Sequence, residues 1–244
     1  MNNIKLIIEY DGTGYCGWQW QPNLNTVQGV LEEAIRRTTG EEVRATASGR
    51  TDAGVHAWGQ VVNFQTEAGL DCNSWRGALN HHLPHDVRVL DAAEAAPGFS
   101  ARHSARGKDY EYVVVNRYIP CALKRNYAWH VGVQLDLDAM REAAKRFIGE
   151  YDFTSFCAVD NDAKNHVRTI WRLDLIQDGE VIKFSFGASA FLRHMVRNIV
   201  GTLVEVGRGR MRESDMTAII EARDRTKAGP TAPPQGLYLV RVEY

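Results

Sequence analysis

The residue types best suited to chemistry are concentrated in one stretch, Ser48–His56, which reads SGRTDAGVH. Its two glycines enclose the guanidinium of Arg50 and the carboxylate of Asp52. Glycines let a backbone turn tightly and let a ligand approach it closely. A lone aspartate can act as a nucleophile or a base, or it can shape a turn by bonding to its own backbone. No second carboxylate accompanies Asp52 here, so the stretch predicts either single-aspartate chemistry or a structural turn.

A second group of chemically capable residues is rich in histidine and comprises His81, His82 and His85. Together with Asp52 and His56, these side chains could form the site of a metal-dependent hydrolase. Neighbouring histidines converge on one ion only across a favourable turn, and no second carboxylate cluster supports them. A histidine-bearing surface loop is the competing interpretation.

Strands and a helix must position the Asp52 stretch. The β-rich segments Ile4–Tyr10, Val43–Ser48 and Gly59–Thr66 predict three strands, two of which flank the loop. A helix is expected from a cap at Asn25, which has a glutamine three residues later, to a stop at Gly40. We therefore expect a loop that connects two strands and lies on a framework that includes this helix.

The second half of the chain carries a long periodic helix. Apolar residues recur along one stripe of Ala190–Val206, and Arg193 and Arg197 lie four residues apart outside that stripe. Tyr110–Asn116 predicts a strand, and Asp178-Gly179 marks a hairpin turn.

The helix and strand pattern predicts an α+β fold of two halves, each an antiparallel sheet backed by helices. We expect residues 1–101 to form the first half, with the Asp52 loop. We expect residues 102–244 to form the second half and to complete the active-site cleft around that loop.

Composition excludes several protein classes. With 44% hydrophobic and 24% charged residues among 244, the chain is neither collagen-like, coiled-coil nor largely disordered. No stretch approaches the roughly 18 consecutive apolar residues of a membrane span, so no membrane association is expected. Glu9 and Asp11 interrupt the first apolar run before a signal peptide could form. The four cysteines form no CxxC pair, which argues against a disulfide framework and a structural zinc site. We expect a cytoplasmic protein.

The cations are segregated although the net charge is only −1. Of the 29 cations, 22 are arginines, whose planar fork grips phosphate and stacks on bases. The segments Gly98–His130 and Arg193–Arg212 each carry an excess of four positive charges. Two such runs favour a polyanionic partner, while a solvated face is the alternative for each run.

The ordered motifs resemble the tRNA pseudouridine synthase A (TruA) family. SGRTDAGVHA, at residues 48–57, is similar to the signature loop of that family. The other matching blocks span nearly the whole chain: Glu9-Tyr10-Asp11-Gly12, Gly17-Trp18-Gln19, Phe99-Ser100-Ala101-Arg102, Tyr110-Glu111-Tyr112, Gly149 with Asp152-Phe153-Thr154-Ser155-Phe156, His194-Met195-Val196-Arg197-Asn198-Ile199-Val200-Gly201 and Gly236-Leu237-Tyr238-Leu239.

The resemblance implies isomerisation of uridine to pseudouridine at positions 38, 39 and 40 of tRNA, in the anticodon stem-loop, without a cofactor or metal. It also implies a homodimer that holds tRNA across both subunits, with the two halves joined in one continuous central antiparallel sheet. Asp52 falls on the catalytic aspartate of the family and Tyr110 on the tyrosine that stacks against the target base. Arg197 falls on the basic residue that pairs with the aspartate, and Arg50 on a basic residue that helps the base leave the stem.

Some residues depart from the family pattern or leave alternatives open. Trp20 replaces a basic residue that is common in the family, and Asp109 and Glu111 place negative charge on both sides of Tyr110. Asp52 could add to the base or remove a proton from the ribose, and the residues do not decide between these. A noncatalytic RNA-binding module would share the basic runs but would not need Asp52.

Overall fold

The computed structural model describes residues 1–160 and 163–244, which divide into two compact units. The first unit contains Met1–Arg106 together with Tyr238–Tyr244, and the second contains Gly107–Leu237. Tyr238–Tyr244 are therefore part of the first unit, although their position in the sequence places them in the second half.

The described elements, in chain order, are β1 (Asn2–Tyr10), α1 (Val27–Thr39), β2 (Thr46–Ala47), β3 (His56–Thr66), α2 (Cys72–His82), β4 (Val87–Ala95), β5 (Gly107–Asn116), β6 (Trp129–Val131), α3 (Leu137–Lys145), β7 (Gly149–Asp152), β8 (Val167–Asp178), β9 (Val181–Ala188), α4 (Met195–Gly207), α5 (Asp215–Ala222) and β10 (Leu237–Glu243).

The sheet of the first unit has the strand order β4-β1-β3-β10, with β2 also paired to β3. β1 pairs antiparallel with both β3 and β4, whereas β10 runs parallel to β3. Alternate residues of β1 are buried, among them Leu6 and Ile8, as expected of a strand with one face on the core. Phe64 of β3 meets Trp75 of α2 edge to face, with ring centroids 5.3 Å apart. This contact packs the helix against the sheet.

The N-cap of the first helix lies one residue later than predicted. Thr26, and not Asn25, is the N-cap, since its side chain accepts a hydrogen bond from the Gly29 N–H at 3.2 Å. Asn25 instead donates its side-chain amide to the Gly14 carbonyl. The predicted stop is confirmed: Gly40 has φ 78°, a left-handed conformation that suits glycine.

The sheet of the second unit has the strand order β5-β9-β8-β7, all antiparallel, with the short β6 parallel to β5. Its helix α4 is almost entirely buried, including Ile199 and Leu203, and packs against α3. Each unit thus has helices on a mainly antiparallel sheet, and the α+β prediction is confirmed.

The predicted start of α4 is wrong by five residues, because the helix begins at Met195 and not at Ala190. His194, directly before the helix, has φ 64°, and a residue in this left-handed conformation cannot continue a right-handed helix. The apolar pattern extends upstream because Leu192 is also buried, outside any helix. Among the described residues, no helix has both the length and the apolar character needed to cross a membrane.

Candidate active site

The Asp52 loop connects β2 to β3. The first residue of the loop is held in place by the Ser48 N–H, which donates a hydrogen bond to the Val61 carbonyl at 2.8 Å. The Val55 N–H donates to the Asp52 carbonyl at 3.1 Å, and Gly54 takes φ 77°, so the chain reverses within the loop. The Asp52 side chain is part-buried and that of Arg50 is exposed.

The segment that follows β1 holds this loop in place through backbone hydrogen bonds. The Trp18 N–H donates to the Thr51 carbonyl at 3.0 Å, and the Gly54 N–H donates to the Tyr15 carbonyl at 3.3 Å. Gly17 has φ 88°, and a Cβ at that position would lie 2.6 Å from the Thr51 carbonyl oxygen. Because the two backbones approach so closely, only glycine fits at position 17 without displacing the loop.

His56 follows the loop and is buried at the start of β3. Its Nδ1 accepts a hydrogen bond from the Gly12 N–H at 3.0 Å, while a carboxylate oxygen of Asp11 lies 3.1 Å from the same nitrogen. One nitrogen cannot accept from the amide and donate to the carboxylate at the same time, so these two hydrogen bonds are mutually exclusive. The ring also stacks on Tyr238, with centroids 4.8 Å apart.

Tyr110 lies on β5 in the second unit and is 8% exposed. Its ring meets Phe191 edge to face, with centroids 5.0 Å apart. The neighbouring acidic residues point to the other face of the strand, because successive residues of a strand alternate. Asp109 pairs with Arg172 at 3.0 Å and Glu111 pairs with Lys183 at 3.3 Å. The negative charge that the sequence places beside Tyr110 is therefore compensated.

Arg197 lies on the first turn of α4 and is part-buried. Its Nε donates to the Ala232 carbonyl at 2.8 Å, and the Ala232 N–H donates back to the Arg197 carbonyl at 3.0 Å. This exchange fixes the side chain along the segment before β10. Arg50 and Asp52 thus share a loop of the first unit, whereas Tyr110 and Arg197 belong to the second unit.

The second basic run is more neutral than its sequence indicates. Arg208 and Arg210 both pair with Glu205, at 2.8 Å and 3.3 Å. Arg193 pairs with Asp160 and Arg212 with Asp215, both acidic residues outside the run. The excess counted along the sequence thus overstates the charge of this surface.

In the first basic run, Lys124 and Arg125 are exposed, and neither pairs with an acidic side chain among residues 1–160 and 163–244. The Arg125 guanidinium donates to the Ala122 carbonyl at 2.7 Å.

The histidine group is spread over the end of α2 and the following loop. His81 and His82 meet edge to face, with centroids 5.0 Å apart, and His85 Nδ1 lies 2.8 Å from the Arg88 guanidinium. In the part of the chain that the structure describes, no group of three or more His, Cys, Asp or Glu side chains is arranged to hold a metal ion.

Three buried polar side chains near these residues were missed by the sequence reasoning: Tyr10, Gln60 and Asn198. Tyr10 and Asn198 lie within motif blocks, but their contacts depend on residues distant in the sequence. Gln60 interrupts an otherwise apolar stretch of β3, and a polar residue inside a buried strand is the signal that could have found it.

Comparison with known proteins gives full-length relatives. The family model described as tRNA pseudouridine synthase matches residues 6–102 and 143–244. The chain is 51% identical to the tRNA pseudouridine synthase A of Caldicellulosiruptor bescii over 244 residues, which is 100% of both chains. It is 49% identical to that of Caldicellulosiruptor saccharolyticus and 47% to that of Acetivibrio thermocellus, again over 100% of both chains. The chain therefore belongs to the tRNA pseudouridine synthase family of isomerases.

Proposed function

We propose that this enzyme converts uridine to pseudouridine at positions 38, 39 and 40 of the tRNA anticodon stem-loop, with Asp52 as its catalytic residue. The observation that carries the proposal is the loop itself. A single part-buried carboxylate is presented on a tight turn whose backbone is hydrogen-bonded to neighbouring segments before and after Asp52. Such a loop holds one reactive group in a fixed place, as pre-organised catalysis requires.

The reaction needs one carboxylate and no external reagent. The N1–C1′ bond of uridine breaks, the uracil turns, and C5 forms a bond to C1′. The proton from C5 is lost and N1 gains one, so the atoms balance without oxidation or reduction. Asp52 acts either by adding to the base as a nucleophile or by removing a proton from the ribose. In both cases the enzyme must retain the detached uracil until the new bond forms.

The remaining site residues supply binding and orientation. A uridine in a stem must leave the base stack, at a cost of a few kcal/mol, before its C1′ is accessible. The exposed Arg50 is suited to support the vacated stem, and the aromatic ring of Tyr110 is suited to stack on the extruded base. We assign Arg197 the role of pairing with Asp52 during the reaction. We also propose that the enzyme is a cytoplasmic homodimer that holds tRNA across both subunits.

Replacement of the carboxylate by an amide of the same shape tests the proposal. Unmodified tRNA is incubated with the parent protein or with Asp52→Asn, and pseudouridine is mapped at single-nucleotide resolution. We expect product at positions 38 to 40 with the parent, and unchanged tRNA affinity but almost no product with Asp52→Asn. Asp91→Asn, an exposed change on β4, is the matched control and should keep full activity.

Two outcomes contradict this assignment. Substantial pseudouridine formation by Asp52→Asn would remove Asp52 from the reaction. A parent protein that binds tRNA but yields no product at these positions would favour a noncatalytic RNA-binding role.

A further inference from the structure

Two buried polar side chains meet the Asp52 loop from the core of the first unit. The Tyr10 hydroxyl on β1 lies 2.8 Å from the Thr51 hydroxyl, one residue before Asp52. The Gln60 amide on β3 accepts a hydrogen bond from the Ser48 hydroxyl at 2.7 Å and donates one to the Gly49 carbonyl at 2.8 Å. Of the four residues directly before Asp52, three are thus hydrogen-bonded to side chains from two different strands.

These polar groups are costly to bury. Gln60 is fully buried and Tyr10 is 4% exposed, in positions where the neighbouring strand residues Leu6, Ile8 and Val62 are apolar. A buried hydroxyl or amide destabilises the fold unless it is hydrogen-bonded, and an apolar side chain of the same volume would fill the core without that requirement. Packing alone therefore does not account for a tyrosine and a glutamine here, whereas the fixing of the loop does.

Burial raises the pKa of Tyr10 to about 12 despite the hydrogen bonds to Thr51 and Gln60, so the hydroxyl, which is protonated at neutral pH in any case, stays protonated into alkaline solution.

We propose that Tyr10 and Gln60 are positioning residues that set the place of the Asp52 carboxylate for the chemical step. The proposal rests on the catalytic role of Asp52 given above. Gln60 is fully buried and Tyr10 is 4% exposed, so neither offers an appreciable surface for phosphate contacts with tRNA. Their loss should therefore alter the rate of the chemical step more than the affinity for tRNA, which depends mainly on phosphate contacts at the surface. A displacement of a reactive group by about 1 Å can cost roughly a hundredfold in rate.

Tyr10→Phe is the sharpest test, because it removes one oxygen and keeps the ring in the core. The first measurement is the single-turnover rate with tRNA at saturating enzyme, and the second is the dissociation constant for tRNA. We expect the rate to fall roughly tenfold to a hundredfold, with the dissociation constant within about twofold of the parent. Tyr244→Phe is the matched control, since it also removes a hydroxyl that donates a hydrogen bond, here to the Ala101 carbonyl at 2.8 Å. It should leave the rate unchanged.

A double-mutant cycle separates positioning from general destabilisation. If the hydroxyl acts through Thr51, the rate of Tyr10→Phe combined with Thr51→Val should match that of the slower single variant. Thr51→Ser keeps a hydroxyl and should retain most of the parent rate. Thr51→Val also provides the test if Tyr10→Phe does not fold.

Each outcome has a defined meaning. A parental single-turnover rate for Tyr10→Phe, or for Thr51→Val where that variant replaces it, overturns the proposal. So does a cycle in which the two rate losses multiply. If Asp52→Asn is inactive while Tyr10→Phe is fully active, positioning fails and the catalytic role of Asp52 stands. If Asp52→Asn is active, the proposed function itself fails, whatever the rate of Tyr10→Phe.

Discussion

Asn198 and Arg225 are joined by a hydrogen bond of 3.1 Å from the guanidinium to the buried amide oxygen. The same oxygen accepts from the Thr231 hydroxyl at 2.7 Å, and the amide nitrogen donates to the Phe156 carbonyl at 2.8 Å. One side chain therefore ties α4 to two other segments of the second unit, at the position next to Arg197. Thr231, which this amide binds, directly precedes the Ala232 carbonyl that accepts the Arg197 hydrogen bond.

Asn198→Leu should destabilise the protein by about 2 to 4 kcal/mol, because it leaves several buried polar partners of the amide without a hydrogen bond. Unfolding in urea measures this change. Gln177→Leu is the control: its amide donates to the Gly179 carbonyl at 2.9 Å but is exposed, so its effect should stay within about 0.5 kcal/mol. Equal free energies for the two variants would contradict the structural role of Asn198.

Gly17→Ala should both destabilise the protein and lower its activity. The added methyl group would lie 2.6 Å from the Thr51 carbonyl oxygen, and φ is already 88°. We expect a loss of about 2 kcal/mol or more in the free energy of unfolding, together with slower turnover. Gly14→Ala is the matched control, since a Cβ there meets no atom within 4 Å. Similar behaviour of the two variants would show that the loop tolerates displacement by a methyl group added at position 17.

Stability should depend on Tyr10 at alkaline pH. Its pKa is raised from 10.0 to about 12 by burial, so the folded state holds the proton more tightly than the unfolded chain. The contribution is complete below pH 10 and is lost as the pH rises toward 12. We expect the free energy of unfolding of the parent to fall by roughly 2 kcal/mol relative to that of Tyr10→Phe over that interval. Urea unfolding at several alkaline pH values checks this, and a constant difference would refute it.

The affinity for tRNA should decrease steeply with salt, and the two basic runs should contribute unequally. Replacement of Lys124 and Arg125 by alanine should flatten the salt slope by about 0.7 to 0.9 per lost phosphate contact. Replacement of Arg208 and Arg210 by glutamine should change it less, because Glu205 already binds both guanidinium groups. Filter binding between about 50 and 200 mM salt gives both slopes. A larger change of the salt slope in the Arg208 and Arg210 variants would show that the second basic run, and not the first, supplies more of the phosphate contacts.

Activity should withstand metal removal. We expect unchanged pseudouridine formation after exhaustive treatment with a chelator, and also after simultaneous alanine substitution at His81, His82 and His85. Parent protein treated without chelator serves as the reference. Loss of activity that is restored by added zinc would instead support the metal-dependent alternative.

The sequence was informative where the signal is local. The Asp52 loop could be located because two glycines and a charged pair lie within a few residues, and Gly40 could be recognised as a helix stop from its position after a periodic segment. The contact of Tyr10 with Thr51 could not be found in this way, because it joins residues 41 apart and Tyr10 fits the apolar pattern of its strand.

Two failures have specific physical causes. Hydrophobic periodicity extended α4 upstream because it registers that Leu192 is buried but not that His194 turns left-handed. The charge count of the second basic run missed Asp160, which lies 33 residues before Arg193 in the chain and beside it in the structure.

The parallel pairing of β10 with β3 has a consequence for biosynthesis. Tyr238 and Leu239 are the register partners of His56 and Ala57, the first residues after the Asp52 loop. Because the ribosome makes the chain from its N-terminus, residues 107–237 must all emerge before the first unit can receive its last strand. Until then the edge of β3 at His56 lacks this neighbour, and an open edge invites pairing with other chains. The nascent enzyme thus receives the strand beside His56 last, after the strands β5 to β9 have been synthesised.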